Sequence, residues 1–341
     1  MSVDVLAAGR ARRALRRRGA LTTLAVLVLG TFLVTLMVGQ TFYPPLDVLR
    51  VIAGETVPGA SFTVGELRLP RAMLAVLAGA AFALGGVTFQ TMLRNPLASP
   101  DIIGITHGAS AAAVFGITVL SVSGALISFV AVVAALATAM LIYVLSFKDG
   151  VVGTRLILIG IGIAAMLQSV VSYLLVRAAT WDLPAAMRWI TGSLNGATWS
   201  EVVTLLAAVI AFGVLLLSQS RRLDLLQLGD DTASALGVRV ERTRVLVIIA
   251  AVGLIAFATA AAGPIAFVAF LSGPIAARLV GPTGSLLVPA ALVGALLVLV
   301  ADLAGQFALG ARYPVGVVTG VLGAPYLVYL LIRTNRAGGS L

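Results

Sequence analysis

A chain of 341 residues that is 60% hydrophobic and 11% charged is too apolar for a soluble globular protein, in which about 25% of residues are charged. The net charge of +10 does not mark a nucleic-acid binder, because the arginines sit in gaps between apolar runs and not in one tail or on one face. The lack of cysteine and the single histidine, His107, exclude disulfides, thiolate metal sites and a multi-histidine metal site within one chain.

In chain order, residues 1–20 hold Arg10, Arg12, Arg13, Arg16, Arg17 and Arg18, ahead of an apolar run from Leu21 to Val38. The run is long for the core of a signal peptide and no small-residue cleavage site follows, so it reads as a retained first helix behind a basic cytoplasmic segment. Residues 40–67, with Pro44, Pro45 and Pro58, read as an external loop. Leu69–Thr88 is the second span, and its Gly79 and Ala83, one turn apart, let a neighbouring helix come close. Residues 89–101, FQTMLRNPLASPD, are broken by two prolines and read as internal. Ile102–Leu120 and Ile127–Phe147 are the third and fourth spans, Lys148 and Asp149 a short internal turn, and Leu156–Val176 the fifth span. Residues 177–200 hold Trp181, Trp189 and Trp199, all the tryptophans of the chain. Indole rings favour the headgroup layer, so a short interfacial helix is expected near 183–191. Val202–Ser218 and Val245–Ala262 are the sixth and seventh spans. Residues 263–282 read as a glycine- and proline-broken helix ending inside at Arg278, and Leu286–Gly305 and Val317–Ile332 complete a ten-span chain.

Charge supports that topology. Seventeen of the 23 Lys/Arg fall inside and six (Arg50, Arg68, Arg71, Arg177, Arg188 and Arg312) outside, the bias of a chain with both termini in the cytoplasm. Eight spans is the alternative, if 267–280 and one other short segment fail to cross. The second and seventh spans lead into proline-broken segments and lie five spans apart, so they run in opposite directions, which suggests an inverted repeat.

Residues 221–244, RRLDLLQLGDDTASALGVRVERTR, carry five arginines and four acids between two apolar runs. Leu223, Leu225, Leu226 and Leu228 precede Gly229. Asp230, Asp231 and Thr232 are placed to cap a second short helix, Thr232–Leu236, which stops at Gly237. Residue physics leaves two readings open here: a rigid docking knob, or a solvated internal loop. The only lysine is Lys148 in FKDG, so the chain has no phosphate-binding P-loop. Asp302 is the only acid inside an apolar run, whereas ion-coupled carriers need intramembrane ionisable groups. Energy must then come from outside the chain. No serine–histidine–acid set or carboxylate pair suggests an enzyme.

Four stretches carry a resemblance: residues 67–110, with LRLPR and NPLASPDIIG; RWITGSLNGATW at 188–199; LQLGDDTASALGV at 226–238; and GPIAFVAFLSGPIAARL with YPVGVVTGVLGAPYLVYLL, at 263–279 and 313–331. The chain resembles the iron–siderophore and cobalamin permease family (FecCD-type) of bacterial ABC importers, over about residues 20–335. The resemblance implies an all-α polytopic membrane protein of about ten transmembrane helices, with the type II ABC importer permease fold. Residues 21–335 would form a single permease domain. It implies a homo- or heterodimer with a second permease subunit, and two cytoplasmic ATPase subunits that hold the ATP and Mg; this chain would have no cofactor or metal of its own. An extracytoplasmic siderophore-binding protein would deliver the cargo, ferric siderophore, with cobalamin or haem as the alternatives and an ion-coupled secondary transporter as the rival class. Membrane lipid is a partner and nucleic acid is not. The expected place is the bacterial cytoplasmic membrane.

The resemblance also assigns residues. The coupling loop to the ATPase falls on Leu228, Gly229, Asp230, Asp231, Ala233, Leu236 and Gly237. Docking of the binding protein falls on Arg68 and Arg71, whose other reading is snorkelling to lipid phosphates. The chain departs from the family's pattern at Arg312 and Gln306, and Arg312 is expected to supply the third docking contact. Gln90, Asn95, Pro96 and Pro274 are expected to brace or line the broken helices. His107 reads either as a helix-start histidine satisfied by backbone near Gly104 and Gly108, or as a contact in the pathway. Asp302 is expected near the outer end of its span, satisfied by water or Arg312.

Overall fold

The structure, a computed structural model, describes residues 3–100, 104–146, 153–281 and 284–336. Among these, every regular element is helical. Helix α1 (Val3–Met37) absorbs both the basic segment and the first apolar run. The expected loop 40–67 is more ordered than a plain loop. It contains α2 (Pro45–Ile52), where Pro45 sets the first-turn geometry and loses no hydrogen bond. It also contains a π-turn (Thr63–Arg68) that runs straight into α3 (Leu69–Met92). Pro70, in the first turn of α3, has no N–H, so the wider turn forms just before it. Then follow α4 (Ile105–Thr118), α5 (Ala125–Ser146), α6 (Gly153–Arg177) and α7 (Leu183–Thr191). After these come α8 (Trp199–Ser218), α9 (Ser220–Leu226), α10 (Asp230–Ala235), α11 (Val240–Ala262) and α12 (Val268–Val280). The last two are α13 (Leu287–Phe307) and α14 (Val315–Arg336). The expected turn at Lys148 and Asp149, and the expected start of the third span at Ile102, lie outside the described residues.

Seven helices (α1, α3, α5, α6, α8, α11 and α13) are long and apolar enough to cross a bilayer. Three shorter apolar helices, α4, α12 and Val315–Leu330 of α14, bring the set to the ten expected. At 1.5 Å per residue α4 covers only about 21 Å of an apolar layer about 30 Å thick. Helix α4 alone is therefore too short to cross that layer.

Helix α3 is the axis of the bundle. Its apolar window is 83% buried and that of α11 67%, against 17–28% for α1, α5, α6 and α8, which form the outer wall. Alanine and glycine make this possible. A Cβ added at Gly79 would overlap the carbonyl of Gly294 on α13, and one at Gly86 the carbonyl of Ala269 on α12. The small stripe expected at Gly79 and Ala83 is therefore the α3–α13 contact, and Ala83 lies against Gly294 as well.

Two ends can be told apart. At the basic end, Arg17 donates to the carbonyl of Ser285 and Arg16 to that of Arg278 (3.4 Å). Arg94 at the foot of α3 meets α9 and α10 there. At the tryptophan end, Trp199 donates to the carbonyl of Gly65 (3.2 Å). Here RWITGSLNG finds its reason. Gly192 ends α7 with φ 72° and packs on Pro264, the Ser193 N–H bonds the Ala262 carbonyl (2.8 Å), and the Gly316 N–H bonds the Gly192 carbonyl (3.2 Å). The ends of α7 and α11 and the start of α14 meet there backbone to backbone. Helices α3 and α11 run in opposite directions between these ends. Each leads to a break, a left-handed residue (Gly104, Phe267) and a short helix, the arrangement expected of an inverted repeat.

Candidate functional site

The knob at 221–244 is built from its glycines outward. Leu223 and Leu226 of α9 are buried. Gly229, at φ 107°, turns the chain into α10, whose Ala233 is fully buried, and Gly237, at φ 84°, turns it out again. A side chain is disfavoured at either turn. The frame of Gly229, Ala233 and Gly237 is the one expected, but the cap is not. Helix α10 starts at Asp230, with Gly229 at its N-cap and no side-chain cap. The Asp230 carboxylate faces sideways: Oδ1 accepts from Arg94 and Oδ2 from Arg244, each at 2.6 Å. Arg94 Nε also donates to the Leu226 carbonyl (2.9 Å). Asp230 thus pins the knob to the foot of α3 and the start of α11. Asp231, Arg239 and Glu241 stay exposed. So do Leu228 (59%) and Leu236 (58%), two large apolar side chains flanking α10. Behind them, burial raises the pKa of the Asp224 carboxyl, and Arg17 opposes the shift.

The break after α3 is closed by one amide. Pro274 inside α12 has no N–H, so the carbonyl four residues earlier, that of Phe270, loses its helical partner. Gln90 Nε2 donates to that carbonyl (2.9 Å) and to the Pro96 carbonyl (3.0 Å). Asn95 Oδ1 accepts from the Leu97 N–H (2.8 Å), an Asx turn that holds Pro96 in place. Gln90, Asn95, Pro96 and Pro274 therefore form one brace between α3 and α12. Gln90→Leu is expected to cost about 1–3 kcal/mol by leaving the Phe270 carbonyl bare. In a thermal-unfolding cycle in detergent, most of that cost should vanish on a Pro274→Ala background, where the backbone N–H returns; equal costs on both backgrounds would rule out the brace.

At the tryptophan end the arginines turn inward. Arg68 Nη1 donates to the Leu36 and Met37 carbonyls (2.8 and 2.9 Å) and Nη2 to that of Thr41 (2.7 Å), with the guanidinium 5.0 Å from the Tyr43 ring centre. It closes the end of α1. Arg71 makes a two-pronged pair with Asp302 (Nε–Oδ2 2.8 Å, Nη2–Oδ1 2.7 Å), and its Nη1 donates to Asn195 Oδ1 (2.6 Å). Gln306 Nε2 adds a bond to Asp302 Oδ2 (2.7 Å). The expectation that water or Arg312 satisfies Asp302 is corrected. Asp302 is 2% exposed, and Arg71 and Gln306 complete it. Of the three arginines expected at the docking face, Arg312 is exposed, while Arg68 and Arg71 are half-buried and bonded to other helices. Residue reading missed Asn195 and Arg94, and named Gln306 without its bond to Asp302. The spacing of Gln306, four residues after Asp302 on one helix face, was a usable signal.

His107 sits in the first turn of α4. Its Nδ1 is buried with no hydrogen-bond partner among the described residues, so the expected backbone partner is not there. It lines a cavity of about 340 Å³ between α4, α6, α12 and α14. A larger cleft, about 1000 Å³, opens at the tryptophan end beside Arg188, Asn195 and Glu201. Among the described residues no three His, Asp or Glu side chains group as metal ligands would.

With this geometry in view, likeness to known proteins carries weight. The chain is 39% identical over 322 residues to the achromobactin transport system permease protein of Dickeya dadantii, covering 93% of this chain and 92% of that one. It is 40% identical over 291 residues to the ferric enterobactin transport system permease protein of Escherichia coli K12, covering 85% and 88%. A solved structure of a metal-chelate type ABC transporter in an inward-facing conformation superposes with TM-score 0.82 at 30% identity, covering 92% of this chain and 98% of the other. The sequence profile of the FecCD transport family matches residues 26–333, and this chain, a multi-pass membrane protein, belongs to that family.

Proposed function

We propose that the chain is the membrane-embedded permease subunit of an ATP-driven ABC importer that moves ferric siderophore across a bacterial cytoplasmic membrane. Support comes from relatives that share most of its length and are named for achromobactin and ferric enterobactin transport; others of similar coverage, at 33–35% identity, are named for cobalamin or vitamin B12 import. In this reading the basic end, with both termini, faces the cytoplasm, because basic segments stay inside. The permease does no bond chemistry. Two cytoplasmic ATPase subunits bind ATP and Mg, a second permease subunit completes the pathway, and an extracytoplasmic binding protein delivers cargo to the tryptophan end. Of Arg68, Arg71 and Arg312, the exposed Arg312 is the one that, in this reading, meets that protein's acids.

The observation that carries the reading is the exposed Leu228–Leu236 pair on a knob pinned through Asp230. Two large apolar side chains held in water on a rigid support mark a docking surface. The pin passes a push on the knob to the feet of α3 and α11 together. Leu228→Asp with Leu236→Asp should leave the fold intact and weaken ATPase capture by about 2 kcal/mol or more, roughly thirtyfold. Co-purification of the ATPase subunits with the tagged permease checks this, and unchanged recovery would sink the docking role. Uptake of labelled ferric siderophore into proteoliposomes that hold the whole complex should require ATP inside. Uptake of cobalamin in place of the siderophore would reassign the cargo.

A further inference from the structure

Helices α4 and α12 both begin inside the bundle, and their first turns face one cavity. Thr106, His107 and Ser110 line it from α4, and Phe267 and Phe270 from α12. Each helix starts from a left-handed residue, Gly104 (φ 94°) or Phe267 (φ 64°), and neither has a side-chain cap. The opening N–H groups of a helix lack partners within it and carry the positive end of its dipole. A second observation points to a ligand. Ser99 lines the same cavity, is 2% exposed, and its Oγ has no hydrogen-bond partner among the described residues; the same holds for Nδ1 of His107. Buried polar atoms without partners are rare in folded proteins, and two around one cavity indicate that something else completes them. Among the described residues no Asp or Glu lines it.

We propose that this cavity binds a small carboxylate anion between the two helix starts, with the Ser99 hydroxyl and His107 Nδ1–H as its side-chain donors. Two helix N-termini and two donors set the sign of the ligand. A carboxylate suits them because its two oxygens accept from donors on opposite sides at once. At about 340 Å³ the cavity is at the small end of ligand pockets, roughly 300–1,000 Å³. It takes an acid the size of citrate, or one carboxylate arm of a larger cargo. The inference stands apart from the transport reading, since binding is measured on the chain alone.

The test is calorimetric titration of citrate into the full-length chain in lipid nanodiscs, with glycerol as an uncharged probe. Saturable citrate binding is expected, with none for glycerol. Ser99→Ala and His107→Leu should each weaken it about tenfold or more. His107→Asn, which keeps an N–H near the Nδ1 position, should retain it. Both Ser99→Ala and His107→Leu delete an unpaired buried atom, so neither should unfold earlier than the parent. A cavity that holds only water would give no saturable binding and overturn the proposal. So would citrate binding that is unchanged in both variants, or glycerol binding as strong as citrate.

Discussion

Asp302→Ala is expected to destabilise the chain by about 3 kcal/mol, toward the low end of the roughly 3–5 kcal/mol seen when one partner of a buried ion pair is removed. The low end applies because Arg71 keeps 19% of its side chain exposed, while Asp302 keeps 2%. The loss would not equal the strength of the pair. It would come from a guanidinium left beside α13 without its counter-ion, together with the Gln306 amide, which loses its acceptor. The double replacement Arg71→Met with Asp302→Leu should therefore be more stable than Asp302→Ala, because apolar side chains of similar volume remove the stranded charge as well as the pair. Thermal unfolding in detergent reads both. If the double replacement falls by the sum of the two single ones, the groups are not coupled and the bidentate geometry contributes nothing.

A still larger effect is expected at the crossing of α3 and α13. Gly79→Val places branched carbons where the Gly294 carbonyl and Ala295 backbone already lie. Ordinary overpacking costs about 1–3 kcal/mol because flexible side chains give way. Here the obstacle is the backbone of a second helix, and the two helices are also tied together by the Arg71–Asp302 pair, while Gly86 fixes α3 against α12. The expected outcome is loss of monodisperse protein on size-exclusion chromatography. Gly30→Ala is the control. No atom lies within 4 Å of a Cβ built at Gly30 on α1, so a methyl added there should be neutral or stabilising by up to about 1 kcal/mol through helix propensity. Equal yields from Gly79→Val and wild type would mean that α3 and α13 do not cross this closely.

The apolar spans, the tryptophan-bearing helix α7 and the glycine frame of the knob were legible in the residues, because each rests on a local pattern: a run, a belt residue, a turn. Partners far apart in the chain were not. Asp302 was assigned to water or to Arg312, ten residues on, since nothing local says that its helix face turns toward α3 and Arg71. Asp230 looked like a cap because an acid before a short helix usually is one. Its sideways pairing depends on Arg94 lying 136 residues upstream. The contacts that Arg68 and Arg71 make within the chain, one closing α1 and the other pairing with α13, were likewise not visible in the short motif they share. The brace at Phe270 was within reach. Pro274 announces a bare carbonyl four residues back, and Gln90 was the polar group in the facing break. The helix α2 and the π-turn were missed because proline-rich, mixed-polarity sequence carries no strong period.

The order in which these parts come off the ribosome adds a constraint. Arg71 precedes Asp302 by 231 residues. At about 5–20 residues per second, that is roughly 12–46 s of synthesis. During that time α3, the helix that ends up most enclosed, exists before α11, α12 and α13 do. It must meanwhile be tolerated by lipid or by the insertion machinery. A mean hydropathy of 2.0 across its apolar window permits that wait, and Arg71 near its end can stay in the headgroup layer until its counter-ion is made. The alanines and glycines of α3 thus serve two periods of its life: apolar enough to be left alone in a membrane, and small enough to be closed in once the later helices arrive.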